Sequence, residues 1–211
     1  MNLTTPRELP PIEGLEFFDA IHRYSWKGQL LPYSVSAMAK QITPDVQRKF
    51  DETQHIWGPR GVGVHHAAYL WKTTGKPGDL GNYGEWIEPL MAHPHVKLLE
   101  PIAAEYRLAD LRYGIGGTFD LLGRLPGEPS RVILVDYKTL GTHGRDYDIR
   151  AQLGGYLSLL WQHWPMLDVH QCWGVWIKPG KTYTTTYEPT DCLAEWEARR
   201  SLYLKPRIAP A

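Results

Sequence analysis

The sequence predicts an α/β protein in which helices flank a central mixed β-sheet, with a hairpin and helices added at the N-terminus. Of its 211 residues, 43% are hydrophobic and 22% are charged, which is typical of a globular domain. Helical patterns dominate up to about residue 93, and short apolar runs bounded by turn residues follow. The order of predicted elements shows no internal repeat, which favours one domain over residues 1–211.

The N-terminal extension is predicted from its prolines and aromatic residues. Residues 1–14 contain three prolines and are expected to form an extended lead-in. Residues 17–31 carry β-prone aromatic side chains on both sides of Lys27 and Gly28, which predicts a β-hairpin that turns at this pair. With the helix that follows, residues 15–60 make up the extension.

The helices that follow are predicted from their start and stop signals. The sequence TPD at 43–45 supplies a cap, a proline for the first helical position and an acid near the positive helix end. Gly58 and Pro59 are expected to stop this helix. The sequence RGVG at 60–63 is expected to form a tight turn that opens a second helix, and residues 83–91 predict a third.

The rest of the chain alternates between apolar strand patterns and helices. Three consecutive strands are predicted, and the helix and two strands that follow complete the order αβββαβ before a last helix. We expect this core to span residues 61–211. The predicted strands are 96–108, 115–125, 131–137, 171–178 and 182–187, and the helices are 146–164 and, with a cap at 190–191, a last one that ends near residue 204.

Composition excludes several classes of protein. No run approaches the ~20 apolar residues of a membrane span, and the N-terminus lacks a secretion signal, so we expect a cytoplasmic protein without a membrane partner. Cys172 and Cys192 are too few for a four-thiolate cluster, so no iron–sulfur cluster is expected. The 23 basic and 23 acidic residues balance, which argues against a generic nucleic-acid coat protein but permits a local basic groove.

The chemistry is predicted from acids at the ends of two neighbouring strands. Asp120 lies in the second strand, and Asp136 and Lys138 lie at the end of the third, where their spacing projects both to one face. Two carboxylates and the carbonyl of Tyr137 offer the oxygen ligands that Mg²⁺ prefers. Taken alone, Asp136 and Lys138 are equally consistent with a strand-end ion pair.

Further motifs make the chain similar to the PD-(D/E)XK nuclease superfamily, in its RecB-type and lambda-exonuclease-like branch. The resemblance runs from about residue 60 to 156 and implies a restriction-endonuclease-like core. Its motifs stand in the family's order: GVGVH at 61–65, Glu105, GTFD at 117–120, DYKT at 136–139 and QLGGY at 152–156.

The resemblance implies a metal-dependent phosphodiesterase and a role for each matching residue. Asp120 and Asp136 would be metal ligands, Lys138 the catalytic amine and His65 a further ligand. The second acid is Asp136 where the family more often has Glu, which the family's pattern allows. Two residues at i and i+4 on one helical face would support the site or contact the nucleic-acid backbone, or would only brace the helix against the sheet: Gln152 and Tyr156.

Several candidates keep a second interpretation. His65 is preferred to its neighbour His66 because it matches the motif, and a histidine packed between helix and sheet would give the same pattern. Glu105 is either a catalytic acid that binds a second metal or a solvated strand residue. Glu88 is a weaker candidate.

The expected substrate is DNA, single- or double-stranded. Arg60 at the predicted glycine turn would add a charge to a helix N-terminus, where anions bind. Residues 20–50 hold one acid and five basic residues that either follow phosphates or form a solvated face: Arg23, Lys27, Lys40, Arg48 and Lys49.

Together these features predict a Mg²⁺- or Mn²⁺-dependent deoxyribonuclease. The family branch implies an exonuclease of recombination, repair or phage-type DNA processing, with a homo-oligomer or a recombination protein as possible partner. Two alternatives stay open, a site-specific endonuclease and a non-cleaving nucleic-acid-binding module of a larger complex.

Overall fold

A computed structural model describes residues 9–18, 21–40 and 42–204, and the side chain of Pro129 lies outside that description. Residues 1–8 of the predicted lead-in, and residues 19 and 20 of the predicted hairpin segment, therefore lie outside the described residues. The elements are β1 (Leu15–Phe18), β2 (Arg23–Trp26), β3 (Gln29–Leu30), β4 (Tyr33–Ser34), α1 (Val35–Ala39), α2 (Pro44–Glu52), α3 (Gln54–Thr74), α4 (Gly84–Ala92), β5 (Glu100–Asp110), β6 (Ile115–Leu125), β7 (Glu128–Thr139), α5 (Arg150–His163), β8 (Val169–Lys178), β9 (Lys181–Tyr187) and α6 (Pro189–Tyr203).

The predicted mixed sheet flanked by helices is confirmed. Its strands lie in the order β5-β6-β7-β8-β9, and the short β4 joins β6 beside β7. β7 and β8 are parallel and are connected through α5, whereas the β5–β6, β6–β7 and β8–β9 pairs are antiparallel. Apolar residues of α1, α5 and α6 pack on one face of the sheet, and those of α3 and α4 pack on the other.

The predicted hairpin is also confirmed, as part of a small separate sheet formed by β1, β2 and β3. β2 and β3 pair from Ser25–Leu30 to Trp26–Gln29, which leaves a two-residue loop. Both loop residues have positive φ, 47° at Lys27 and 80° at Gly28, as the tight turn of a twisted hairpin requires.

The predicted helix stop at Gly58 and Pro59 is wrong, and so is the glycine turn at 60–63. α3 runs through both segments as one helix of 21 residues. Tertiary packing outweighs the local breakers: a Cβ at Gly63 would lie 2.3 Å from the Tyr83 ring, so this glycine serves a close helix contact. Near its start, the indole N–H of Trp57 donates to the Phe50 carbonyl at 2.9 Å and ties α3 to α2.

Close packing also explains the glycines of α5. A Cβ at Gly154 would lie 1.9 Å from the carbonyl oxygen of Cys192, so α6 packs directly against the backbone of α5. The two helices together cover the face of the sheet on which Asp136 lies.

Other boundaries shift by a few residues. β5 begins at Glu100 because residues 96–98 form a 3-10 turn, and α5 begins at Arg150. α6 begins at Pro189, so the predicted cap at 190–191 lies within its first turn. In the part of the chain that the structure describes, no helix has both the length and the apolar character needed to cross a membrane.

Candidate metal centre

The candidate site lies where β6 and β7 separate. Their last pair at this end is Leu121–Val135, and Asp120 and Asp136 are the next residue on each strand. Beyond this point the backbone N–H of Tyr137 donates to the Asp120 carboxylate instead of to a β6 carbonyl. Asp120 is 8% exposed and Asp136 is 2% exposed, so two carboxylates are buried on either side of one gap.

Three elements bring potential metal ligands together beside this gap. One ligand atom each from His65 on α3, Glu105 on β5 and Asp120 on β6 lies within 4.8 Å of the others. Nδ1 of His65 is 3.1 Å from Oδ1 of Asp120 and 3.9 Å from Oε1 of Glu105. His66 is exposed on the outer side of the helix, so the structure favours His65 over its neighbour.

A fourth oxygen is available from the backbone. In a strand, the N–H and C=O of one residue point to the same side. Because the Tyr137 N–H points at Asp120, its carbonyl also faces the gap between β6 and β7. The predicted backbone ligand is therefore on the correct side of its strand.

Asp136 is held from the other side of the sheet. Its carboxylate forms an ion pair with Lys138 and accepts a hydrogen bond from Nε2 of Gln152 at 3.1 Å. The same amide nitrogen donates to the Tyr156 hydroxyl at 2.8 Å. The two residues of α5 that were predicted to support the site therefore contact it or each other.

Burial and the charge of Asp120 together disfavour ionisation of the two acids beside Asp120. Burial and the charge of Asp120 raise the pKa of Glu105 to about 8. Burial also raises the pKa of Asp136 to about 6, although Lys138 opposes the shift. Like charges in a poorly solvated site repel each other, and a divalent cation would relieve this repulsion.

His65 and Asp120 stabilise each other's charged forms. Burial alone would lower the pKa of His65, but the charge and hydrogen bond of Asp120 outweigh burial and bring it to about 9. Burial alone would raise the pKa of Asp120, but His65 outweighs burial and the pKa is lowered. A metal bound at this pair would take the position of the shared proton.

The donor set fits the metals expected from the sequence. Carboxylate and carbonyl oxygens are ligands that suit Mg²⁺ and Mn²⁺, and three of the four potential donors are of this kind. The two thiols lie elsewhere, since Cys172 and Cys192 are buried in the core on the α5 and α6 side of the sheet.

The predicted helix N-terminus at Arg60 is wrong, because Arg60 lies inside α3 and not at its start. Its guanidinium carbon lies 5.7 Å from the centre of the Trp86 ring. Sequence reasoning missed Trp86, whose indole N–H donates to the Leu140 carbonyl just after β7, at 2.9 Å. A tryptophan in a helix carries no signal that would distinguish this position from core packing.

The basic residues of the N-terminal extension are exposed, and several already have partners. Arg48 pairs with Asp45 at 2.9 Å, and Lys40 donates to Gln47 at 3.0 Å. Glu88 is exposed on α4 and lies beside Pro179, outside the carboxylate cluster.

Tyr147 is a further neighbour of the site that the sequence did not indicate. Its ring packs edge-on against Trp176 with centroids 5.2 Å apart. Burial raises the pKa of its hydroxyl, and the nearby charge of Lys138 opposes that shift. The segment that follows β7 therefore forms one wall of the site.

Comparisons with known proteins do not identify a family. No protein-family model matches the chain, and no curated protein matches it. Among solved structures, the chain is similar to SSO0001, known from a crystal structure, with 14% identity and a TM-score of 0.36. The match covers 83% of this chain and 78% of that chain.

Proposed function

We propose that the protein is a Mg²⁺- or Mn²⁺-dependent DNA nuclease with a restriction-endonuclease-like core. The observation that carries this proposal is the gathering of His65, Glu105 and Asp120 within 4.8 Å, beside the Asp136 and Lys138 pair. The PD-(D/E)XK resemblance implies this arrangement. It consists of acids where two strands separate, a lysine two residues after one of these acids, and a histidine from a helix that faces them.

The chain's own residues would hold the metal and shape the site. His65, Glu105, Asp120 and the Tyr137 carbonyl would supply the ligands. Asp136, which was predicted as a ligand, lies outside this cluster, where Gln152 and Lys138 hold its carboxylate. When bound, the metal would supply a Lewis acid for the phosphate and lower the pKa of an attacking water. Gln152 keeps the Asp136 carboxylate in one orientation through its hydrogen bond.

Lys138 would act as a positive charge in this site. Burial alone would lower its pKa, but Asp136 outweighs burial and holds the pKa above the ordinary value for lysine. A protonated amine cannot accept a proton, so Lys138 is suited to orient the water and to stabilise the negative charge that builds on the phosphoryl group.

We propose an exonuclease acting on DNA ends in recombination, repair or phage-type processing, following the family branch. The test uses end-labelled linear duplex, linear single strand and closed circular DNA, each with Mg²⁺, Mn²⁺ or EDTA. Metal-dependent shortening of linear DNA without opening of circles is the expected result.

Other outcomes of this experiment would replace the proposal. Discrete internal fragments or opened circles would select the endonuclease. Binding without cleavage in every metal would select the non-cleaving module. The Glu88→Gln variant is the matched control, since this exposed acid lies outside the cluster and should cleave as the wild type does.

A further inference from the structure

Arg60 is a half-buried cation without a counter-ion among residues 9–18, 21–40 and 42–204. Its Nε is buried and has no hydrogen-bond partner there. Burial lowers the pKa of its guanidinium, and the nearby Tyr83 hydroxyl opposes that shift, but no carboxylate does. An arginine that gives up part of its hydration without gaining a carboxylate is uncommon, because the loss of solvation is not compensated.

The guanidinium of Arg60 lies near the Trp86 ring and near Gly141. The side chain lies over the Trp86 ring, and a Cβ at Gly141 would lie 3.7 Å from its Nη1. The Trp86 indole is anchored to the Leu140 carbonyl, so ring and loop form a fixed platform. Leu140 and Gly141, the loop residues of this platform, follow directly after Lys138 and Thr139 in the chain.

Arg60 lies on the same helix as His65, one of the proposed metal ligands. It precedes His65 by five residues on the same helix, a separation of about 7.5 Å along the helix axis. Gly61 lies between them, and a Cβ there would be 3.8 Å from Oγ1 of Thr139, so this part of α3 passes the end of β7. The guanidinium therefore lies near the end of β7, and Arg60 is not one of the three residues that gather as potential metal ligands.

We infer that Arg60 binds a backbone phosphate of the DNA substrate beside the metal centre. The two terminal nitrogens of a planar guanidinium can donate to two phosphate oxygens, and a phosphate would supply the missing negative charge. The inference rests on the proposed nuclease function and deepens it, because it assigns a substrate contact outside the metal centre. Arg60 would act in binding and positioning and would take no part in the chemical step.

The test compares two variants. Arg60→Met keeps an apolar side chain on Trp86, and Arg60→Lys keeps the charge but loses the planar guanidinium. Binding of a fluorescent oligonucleotide is measured in EDTA over a range of salt, and cleavage is measured in Mg²⁺. Arg60→Met should weaken binding about tenfold and make the salt dependence shallower by about one unit. KM should rise while kcat changes little, and Arg60→Lys should fall between Arg60→Met and the wild type.

A set of oligonucleotides with one neutral methylphosphonate each locates the contact. At one position, the neutral linkage should weaken wild-type binding but leave Arg60→Met unchanged. The matched control is Arg131→Met, at the opposite end of β7, where the arginine pairs with Glu128. Thermal unfolding checks that each variant is folded.

Two results would overturn the inference while leaving the nuclease intact. One is that Arg60→Met binds DNA as tightly as the wild type at every ionic strength. The other is that each neutral linkage weakens DNA binding equally in the wild type and in Arg60→Met. If the wild type neither binds nor cleaves DNA, the proposed function itself fails, which is a distinguishable outcome.

Discussion

Glu105 lies opposite Asp120 on the neighbouring strand, between the register pairs Ala104–Leu121 and Tyr106–Phe119. Its φ is 47°, a left-handed conformation that is unfavourable for a residue with a side chain in the middle of a strand. Backbone strain of this kind persists where the surrounding structure imposes it, and it clusters at functional sites. Glu105 therefore combines a strained backbone with a carboxyl group whose ionisation burial and the charge of Asp120 disfavour.

The charge on Glu105 should make the metal-free protein less stable as pH rises. Its folded pKa is about 8 and its ordinary value is 4.5, so the folded state binds the proton more tightly between these values. Stability of the wild type in EDTA should therefore fall from about pH 5 to pH 8. Glu105→Gln should lack this part of the fall, as measured by urea unfolding at several pH values.

Addition of Mn²⁺ provides the control for this prediction. It should stabilise the wild type at pH 8 more than Glu105→Gln, because the variant has lost one ligand charge. Parallel pH profiles of the two proteins in EDTA would contradict the assignment of the shift to Glu105.

Removal of either buried acid should abolish cleavage. Both variants keep the side-chain shape. Asp120→Asn removes a charged metal ligand, and Asp136→Asn removes the charged acid beside it, so we expect activity below a few per cent of wild type. DNA binding should persist or tighten, since an acid that faces phosphates is repulsive. Single-turnover cleavage and oligonucleotide anisotropy measure the two effects, and substantial residual activity would refute the assignment.

Substitution of Lys138 should separate chemistry from metal binding. Lys138→Met is expected to lower the rate by roughly two or more orders of magnitude, because the transition-state charge loses its partner. Mn²⁺ affinity, measured by calorimetry, should change little or rise. A large loss of Mn²⁺ binding would mean that Lys138 mainly holds Asp136 in place through their ion pair.

Two glycine substitutions test the packing that supports the site. Gly154→Ala should destabilise the protein by ~1–3 kcal/mol or more, because its methyl group would collide with the Cys192 carbonyl. Gly58→Ala in α3 should stabilise it by about 0.5–1 kcal/mol, since the new Cβ meets nothing closer than 3.8 Å. Urea unfolding measures both, and a neutral Gly154→Ala would contradict the close contact of α5 and α6.

The sequence predicted those parts of the site that depend on local periodicity. Alternation along β7 placed Asp136 and Lys138 on one face, and the i and i+4 spacing placed Gln152 and Tyr156 together. The continuity of helix α3 through residues 58–63 could not be predicted, because the packing of Gly63 on Tyr83 is a tertiary contact that outweighs Pro59 and the glycines.

Contacts between elements that are distant in the chain could likewise not be predicted from the sequence. The φ of Glu105 and the platform of Arg60 on Trp86 depend on strands and helices that meet only in the folded chain. The choice between His65 and His66 needed the rotation of α3 against the sheet. Spacing alone does not fix that rotation, and the exposure of His66 does.

The most direct test of the account is anomalous diffraction from crystals of the wild-type protein grown with Mn²⁺. The account predicts a Mn²⁺ peak bounded by His65, Glu105 and Asp120, within coordination distance of the Tyr137 carbonyl, and loss of this peak in Asp120→Asn. A fully formed site without a peak, or Mn²⁺ bound only elsewhere on the protein, would contradict the central claim that these residues form a metal centre.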